Sequence, residues 1–278
     1  MNRRHGTVDS AAGLIPFGHL GWGYRDRSEF LIRAAEYIAD GLAQNQWVEY
    51  VGSGNREQLR AELSLLPVDT GDVKITDALE FYAVPSGDVV DPHVAVAARV
   101  AAVENAIAQG YTGFRAVVDV TSVAQRPDQR DTFAQFEFLI DQQMALLPVS
   151  ALCAYDLTQI DAGGLICLHP LVGGAGPAFR VFAEPGADLA LAGEIDSVDA
   201  EAFRSALQRI WPLLSDDEIL VDARDVKFIG HRHLLELEWS AHADGRTVVL
   251  QDAPRIVTRL VDLLHLNHVR VKPATSAS

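Results

Sequence analysis

Side chains able to meet a ligand gather at two places in the first half of this 278-residue sequence. His19, Trp22 and Tyr24 stand just before the first helical segment, and Arg115 and Asp119 share the apolar run Phe114–Val120. Open parallel sheets place ligands outside the carboxyl ends of their strands, where Asp119 is expected to fall. A ligand site in this half should therefore include His19 and lie near those strand ends. Each residue also has a plainer reading. His19 could satisfy buried backbone, Trp22 and Tyr24 could pack in a core or interface, and Asp119 could cap a turn. Arg115 within a strand must reach a carboxylate, a carbonyl or a ligand, because a buried charge without partners is costly.

A second group, His231, Arg232 and His233 with His242, invites a zinc reading. Residues i and i+2 fall on different faces of a helix, and no cysteine or well-spaced carboxylate completes a tetrahedron there. No metal is expected at this place, and a solvated, protonatable recognition edge is the better reading. Other chemistries lack their parts. The three lysines, Lys74, Lys227 and Lys272, each follow a valine, so no G-x-x-x-x-G-K-(S/T) loop exists to hold a triphosphate. Gly52-Ser53-Gly54 reads as a structural turn, and no G-x-S-x-G elbow supports a serine hydrolase. No catalytic residue and no cofactor are assigned.

The elements that must position these residues alternate between strand and helix. Asp26 followed by Glu29 fits a capping box ahead of an apolar face of Phe30, Leu31, Ala34, Ile38 and Leu42. Strands are expected at Trp47–Val51, Val73–Tyr82, Phe114–Val120 and Val149–Tyr155, and helices at about 56–66, from Asp91-Pro92 to Gly110, and at about 132–147. Continuous apolar runs such as Phe114–Val120 suit strands covered on both faces, so an α/β fold with a mainly parallel sheet is expected. Residues 1–16 read as a flexible lead-in. Glycines and prolines crowd the stretch from Gly163 to Gly186, marking a boundary near Leu171–Pro177. Beyond it the pattern runs β-β-α-β-α-β-α. Ile219–Leu234 reads there as a short strand, an Asp-bearing turn, an apolar step at Phe228-Ile229, and a helix starting after Gly230.

Two resemblances follow from these residues. His19-Leu20-Gly21-Trp22, the Ala39–Leu42 helix end, Gly110–Arg115 with Asp119, Leu152–Asp156 and His169-Pro170 resemble the MEDS domain, the sensory region of methanogen, methylotroph and dichloromethane regulators. That resemblance implies a RecA- or KaiC-like fold without a phosphate loop over residues 17–172, and a small hydrophobic or hydrocarbon-derived ligand. Tyr155 then joins His19, Trp22, Tyr24, Arg115 and Asp119 as a ligand-binding candidate. Residues 178–270 resemble a smaller STAS domain, the module of anti-sigma factor antagonists. That family carries Asp-Ser-Ser-Gly-Leu where this chain has Gly230-His231-Arg232-His233-Leu234. The resemblance implies docking onto an anti-sigma factor or kinase-like protein through Gly230, His231, Arg232 and His233, without a phosphorylatable serine.

A net charge of −15 repels phosphates, so neither nucleic acid nor an anionic membrane is an expected partner. No apolar stretch is long enough to span a bilayer. Cys153 and Cys167, the two cysteines, lie in apolar surroundings and suit free thiols in a reducing cytoplasm. The chain is expected to be a two-domain, cytoplasmic, non-enzymatic signalling protein; the alternatives are an enzyme built on the first domain or a scaffold without a ligand.

Overall fold

The computed structural model describes residues 4–14, 18–84 and 89–272. Two sheets organise them. The first is seven-stranded and wholly parallel, in the order β1-β7-β2-β6-β5-β3-β4. Its strands are β1 (Gly6–Val8), β2 (His19–Tyr24), β3 (Trp47–Gly52), β4 (Lys74–Asp77), β5 (Phe114–Asp119), β6 (Val149–Asp156) and β7 (Leu171–Gly174). Its helices are α1 (Arg27–Ala43), α2 (Arg56–Leu63), α3 (Ala78–Phe81), α4 (Pro92–Ala108), α5 (Pro127–Met144) and α6 (Gly163–Ile166). This is the expected mixed α/β class.

The helices form where local chemistry supports them. Asp26 accepts from the Ser28 N–H at 2.8 Å and starts α1. Asp91 accepts from His93 and Val94 at 3.0 Å ahead of Pro92, which has no N–H to lose at the first position. α1 buries Phe30, Ala34 and Ile38 against Trp22, Tyr24 and Leu152 on one face of the sheet. α4 and α5 cover the other face with Val103, Phe133, Phe136 and Ile140 against Ala116, Val118 and Cys153. Each fully buried phenylalanine contributes roughly 1.5–3 kcal/mol.

Several sequence expectations are corrected. Over its described residues, 4–14, the lead-in is not loose: β1 pairs with β7, Ala11 and Leu14 are buried, and Ser10 and the Ala11 N–H bond Glu36. Residue 17, the expected start of the first unit, lies outside the described residues. His19–Tyr24 is a strand, the third in the sheet, with no exposed residue. The strand expected over Val73–Tyr82 stops at Asp77, whose carboxylate accepts from the Leu79 N–H at 2.8 Å and starts α3. α5 begins at Pro127, five residues before the expected Thr132, with the Gln129 side chain accepting from the Arg126 N–H.

The second sheet is five-stranded, in the order β12-β11-β10-β9-β8. It holds β8 (Phe179–Phe182), β9 (Leu189–Ile195), β10 (Glu218–Ile229), β11 (Thr247–Gln251) and β12 (Val269–Lys272), with α7 (Ala200–Ile210), α8 (His231–Asp244) and α9 (Arg255–Leu263). β8 and β9 are antiparallel and the other pairs parallel. The Asp-bearing turn expected within Ile219–Leu234 is a bulge instead. β10 runs unbroken to Ile229, its register against β9 slipping between Asp222 and Asp225 and again before Phe228. Gly245, at φ 69°, closes α8 as expected.

The two sheets share one apolar core: Phe179, Phe203 and Leu207 belong to the same buried cluster as Phe133 and Leu165. Polar links cross the junction as well. The Val181 N–H donates to the Cys167 carbonyl at 2.7 Å, and Arg209 reaches Asp131 at 2.9 Å. No helix among the described residues is long and apolar enough to cross a membrane.

Candidate functional site

The alternation of side chains along β2, β5 and β6 divides the candidate residues between two faces of the sheet. His19 pairs with Ala151, and Gly21 with Cys153, so His19, Cys153 and Tyr155 share the face under α4 and α5. Trp22, Tyr24, Arg115 and Asp119 point to the opposite face, under α1 and α2. The single site expected to join His19 to Arg115 and Asp119 is therefore not what the fold assembles. His19 also stands at the amino end of its strand, whereas Asp119 ends β5.

On the α1 face the four residues find protein partners. Arg115 is wholly buried and donates to Gln46 Oε1 at 2.7 Å, Leu14 O at 2.9 Å and Tyr37 O at 3.1 Å. Its guanidinium lies 4.4 Å from the Tyr37 ring centre. Gly41 leaves it room, since a Cβ there would stand 2.6 Å from the Arg115 Cδ. Asp119 accepts from Arg27, from the Tyr24 hydroxyl at 3.2 Å and from the Thr121 N–H at 3.1 Å. Arg27 also holds Glu62 at 2.7 and 2.8 Å, and Tyr50 donates to Glu62 at 2.7 Å. Burial raises the Glu62 carboxyl, but hydrogen bonds from Arg27 and Tyr50 outweigh it and hold the group below its ordinary value. The Trp22 indole donates to Glu29 at 3.3 Å.

On the other face, four groups converge. His19, Glu137, Cys153 and His169 are all buried, and one ligand atom of each lies within 4.8 Å of the rest. Glu137 Oε2 is 2.9 Å from His19 Nε2, 3.3 Å from His169 Nε2 and 4.0 Å from Cys153 Sγ; Cys153 Sγ is 3.6 Å from His19 Nε2. The outer nitrogens are engaged elsewhere. His19 Nδ1 lies 2.9 Å from Asp141 Oδ1, and His169 Nδ1 lies 3.2 Å from the Ile166 carbonyl. The Tyr155 hydroxyl stands 3.5 Å from His169 Nε2. Gly21 admits the His169 ring, which a Cβ would meet at 2.9 Å.

Electrostatics within the cluster are strongly coupled. Burial lowers the His19 imidazole, yet bonds to Asp141, Cys153 and Glu137 win and raise it well above its ordinary value. Burial and the neighbouring His19 lower His169. Burial raises Glu137, but His169 and His19 bring it down to about 2. Burial and the Glu137 charge push the Cys153 thiol up to about 12.

A cavity of about 40 Å³ adjoins the cluster. Arg99, Val100 and Val103 of α4, Phe136 and Ile140 of α5, and Ala116 of β5 line it together with His19, Glu137 and Cys153 of the cluster. The family model of the MEDS domain, the methanogen/methylotroph, DcmR sensory domain, matches residues 18–170. The chain belongs to the MEDS family. No curated protein matches it.

The matched MEDS segment thus begins beside His19 and ends at Pro170, next to His169, enclosing the four-residue cluster. Sequence reasoning named His19 as a candidate but read Cys153 only as a free thiol and gave His169 no role beyond the family resemblance. It missed Glu137 and Asp141 altogether. Their signal was present: two acids four apart, set among Phe136, Phe138 and Ile140, lie on the buried side of α5 and require partners.

In the second sheet, Gly230 caps α8, and His231 and Arg232 are exposed at its first turn. His233 is not part of that edge. It is buried against Phe203, ring centres 5.3 Å apart, and neither ring nitrogen has a hydrogen-bond partner among the described residues. His242 sits at the far end of α8, its Nδ1 3.1 Å from His268 Nε2, so the histidines do not converge.

Proposed function

We propose that this protein is a non-enzymatic signalling protein: its MEDS domain binds a small hydrocarbon derivative, and its C-terminal unit docks onto another protein. The cavity beside His19 carries this reading. One water needs about 10–15 Å³ of such space, so about 40 Å³ admits a molecule of only a few heavy atoms. The cavity's almost wholly apolar lining favours a short carbon chain or halide.

We read residues 17–172 as the sensory unit and 178–270 as a STAS-like interaction module. In support, the second sheet has an antiparallel β8–β9 pair followed by three parallel strands joined through helices. Exposed Arg232 at the start of α8 suits an acidic surface on an anti-sigma factor or kinase-like partner. Two buried free thiols suit the cytoplasm.

One observation favours an enzyme instead: Cys153, His19 and Asp141 stand in the order thiol, imidazole, carboxylate. A working nucleophile needs a depressed thiol pKa, whereas Cys153 is pushed up, so binding is the better reading.

The test is thermal melting with methanol, 1-propanol and dichloromethane as probes, on the full chain and on Val100→Phe, which fills the cavity from α4. A probe that raises the Tm of the parent chain and not of the variant supports the reading. Equal response of both, or none of the parent, overturns it.

A further inference from the structure

The buried cluster beside the cavity sets two acceptors face to face, although the Tyr155 hydroxyl and the Cys153 thiol can each supply it a proton. The Ile166 carbonyl can only accept, so His169 Nδ1 carries the hydrogen, and in a neutral ring Nε2 then presents a lone pair. That lone pair faces Glu137 Oε2 at 3.3 Å, an acceptor facing an acceptor. A proton on His19 satisfies one contact to the same oxygen and leaves the other. Glu137 Oε1 is buried with no hydrogen-bond partner among the described residues. A wholly buried carboxylate in that condition is costly, unless a cation meets it.

The spacing is that of a coordination shell. Bonds of about 2.0–2.3 Å to nitrogen, oxygen and sulfur place neighbouring tetrahedral ligands about 3.3–3.8 Å apart. Four of the six separations are 2.9, 3.3, 3.6 and 4.0 Å, around that range, and all six lie within 4.8 Å. The outer contacts fit too: metal-bound histidines donate their second N–H to a carboxylate or a carbonyl. Asp141 and Ile166 O occupy those positions.

We infer that His19 Nε2, His169 Nε2, Cys153 Sγ and the Glu137 carboxylate form a binding site for one divalent cation, zinc being favoured. Two imidazoles, a thiolate and a carboxylate make a donor set of mixed softness, suited to zinc or cobalt and poorly to magnesium or calcium. The thiolate and carboxylate neutralise a dication, leaving the core uncharged at that point. His19, Glu137 and Cys153 also line the cavity, so the cation would lie beside whatever enters it. The inference does not depend on the identity of that molecule, because metal content is read without any.

The experiment expresses the full chain in zinc-supplemented and in cobalt-supplemented medium and measures bound metal by mass spectrometry and absorption. The expected result is about one equivalent per chain, with the cobalt form showing a thiolate-to-metal charge-transfer band in the near ultraviolet and tetrahedral bands in the visible. Cys153→Ser should abolish the charge-transfer band, and Cys167→Ala, at the other thiol, should keep it. Metal-free protein from both media, a cobalt spectrum without thiolate character, or a band that survives Cys153→Ser overturns the proposal. The readouts on the parent chain decide it even if Cys153→Ser fails to fold. Failure here leaves the melting response to methanol, 1-propanol or dichloromethane untouched, so the two readings fail separately.

Discussion

Asp141 holds His19 with one carboxylate oxygen and the second sheet with the other. Oδ1 lies 2.9 Å from His19 Nδ1, and Oδ2 accepts from the Ala183 N–H at 2.9 Å, just past β8. A change at the cluster is thus one side chain away from the C-terminal unit. Asp141→Asn keeps the shape but cannot accept at both ends. It should cost about 1.5–3 kcal/mol in urea unfolding, the worth of hydrogen bonds to a charged group, and speed amide exchange at Ala183. If the cation site stands, metal affinity should also fall about 10–100-fold.

Arg115 is structural, since its hydrogen-bond partners among the described residues are the protein's own acceptors, Gln46 Oε1, Tyr37 O and Leu14 O. Arg115→Lys supplies one ammonium where a planar fork bonds three ways. Stability should fall by about 2–4 kcal/mol, as buried acceptors lose their donors. Any response of the Tm to a small probe should keep its midpoint concentration. A large shift in that midpoint would return Arg115 to the ligand site.

Gly21→Ala tests the packing behind His169. The added methyl meets the imidazole at 2.9 Å, and Ile166 O at 3.2 Å blocks retreat. Overpacking of this kind costs about 1–3 kcal/mol. The telling readout is the cobalt spectrum, whose visible bands should change because one ligand is displaced. An unaltered spectrum would show that His169 does not hold the metal.

Much of the fold was legible because its signals are local. Asp26, Asp91-Pro92 and Gly245 each mark a helix end through a cap or a left-handed turn, and Phe114–Val120, apolar apart from Arg115 and Asp119, has the character of a doubly covered strand. The sheet order was not legible, because pairing β1 with β7 joins residues far apart in sequence. The division of the candidate residues between two faces was not legible for a nearer reason. His19, Trp22 and Tyr24 were taken as a cluster before a helix, yet in a strand His19 is an odd number of residues from Tyr24 and Trp22 and faces away from both. Cys153 and His169 acquire a role only when α5 brings Glu137 between them.

The Arg27–Glu62 pair sets an acid response on the α1 face. Glu62 titrates below its ordinary value in the folded chain, so the unfolded chain binds its proton first as pH falls. The stability it contributes is complete above the unfolded value, about 4.3, and is lost as pH drops through the folded one. Glu62→Gln should lower the Tm at neutral pH and flatten its fall in that acid window. A slope identical to the parent would remove Glu62 from the account.

His233 titrates in the opposite sense to a paired histidine. Burial lowers its pKa, and its ring nitrogens find no partner among the described residues. The unfolded chain therefore takes up a proton that the folded ring resists. Stability on this account is full above the unfolded value, about 6.5, and declines as pH falls through it. His233→Phe keeps the aromatic contact with Phe203 and removes both the unsatisfied nitrogens and the proton. The variant should be as stable as the parent at pH about 8, or more so by up to about 1 kcal/mol, and should lose less stability between pH about 6.5 and 5. Arg232→Glu, one residue earlier on the exposed side of α8, should leave that profile alone and weaken capture of an acidic partner. If His233→Phe instead weakens partner capture without changing the pH profile, the ring belongs to the docking surface after all.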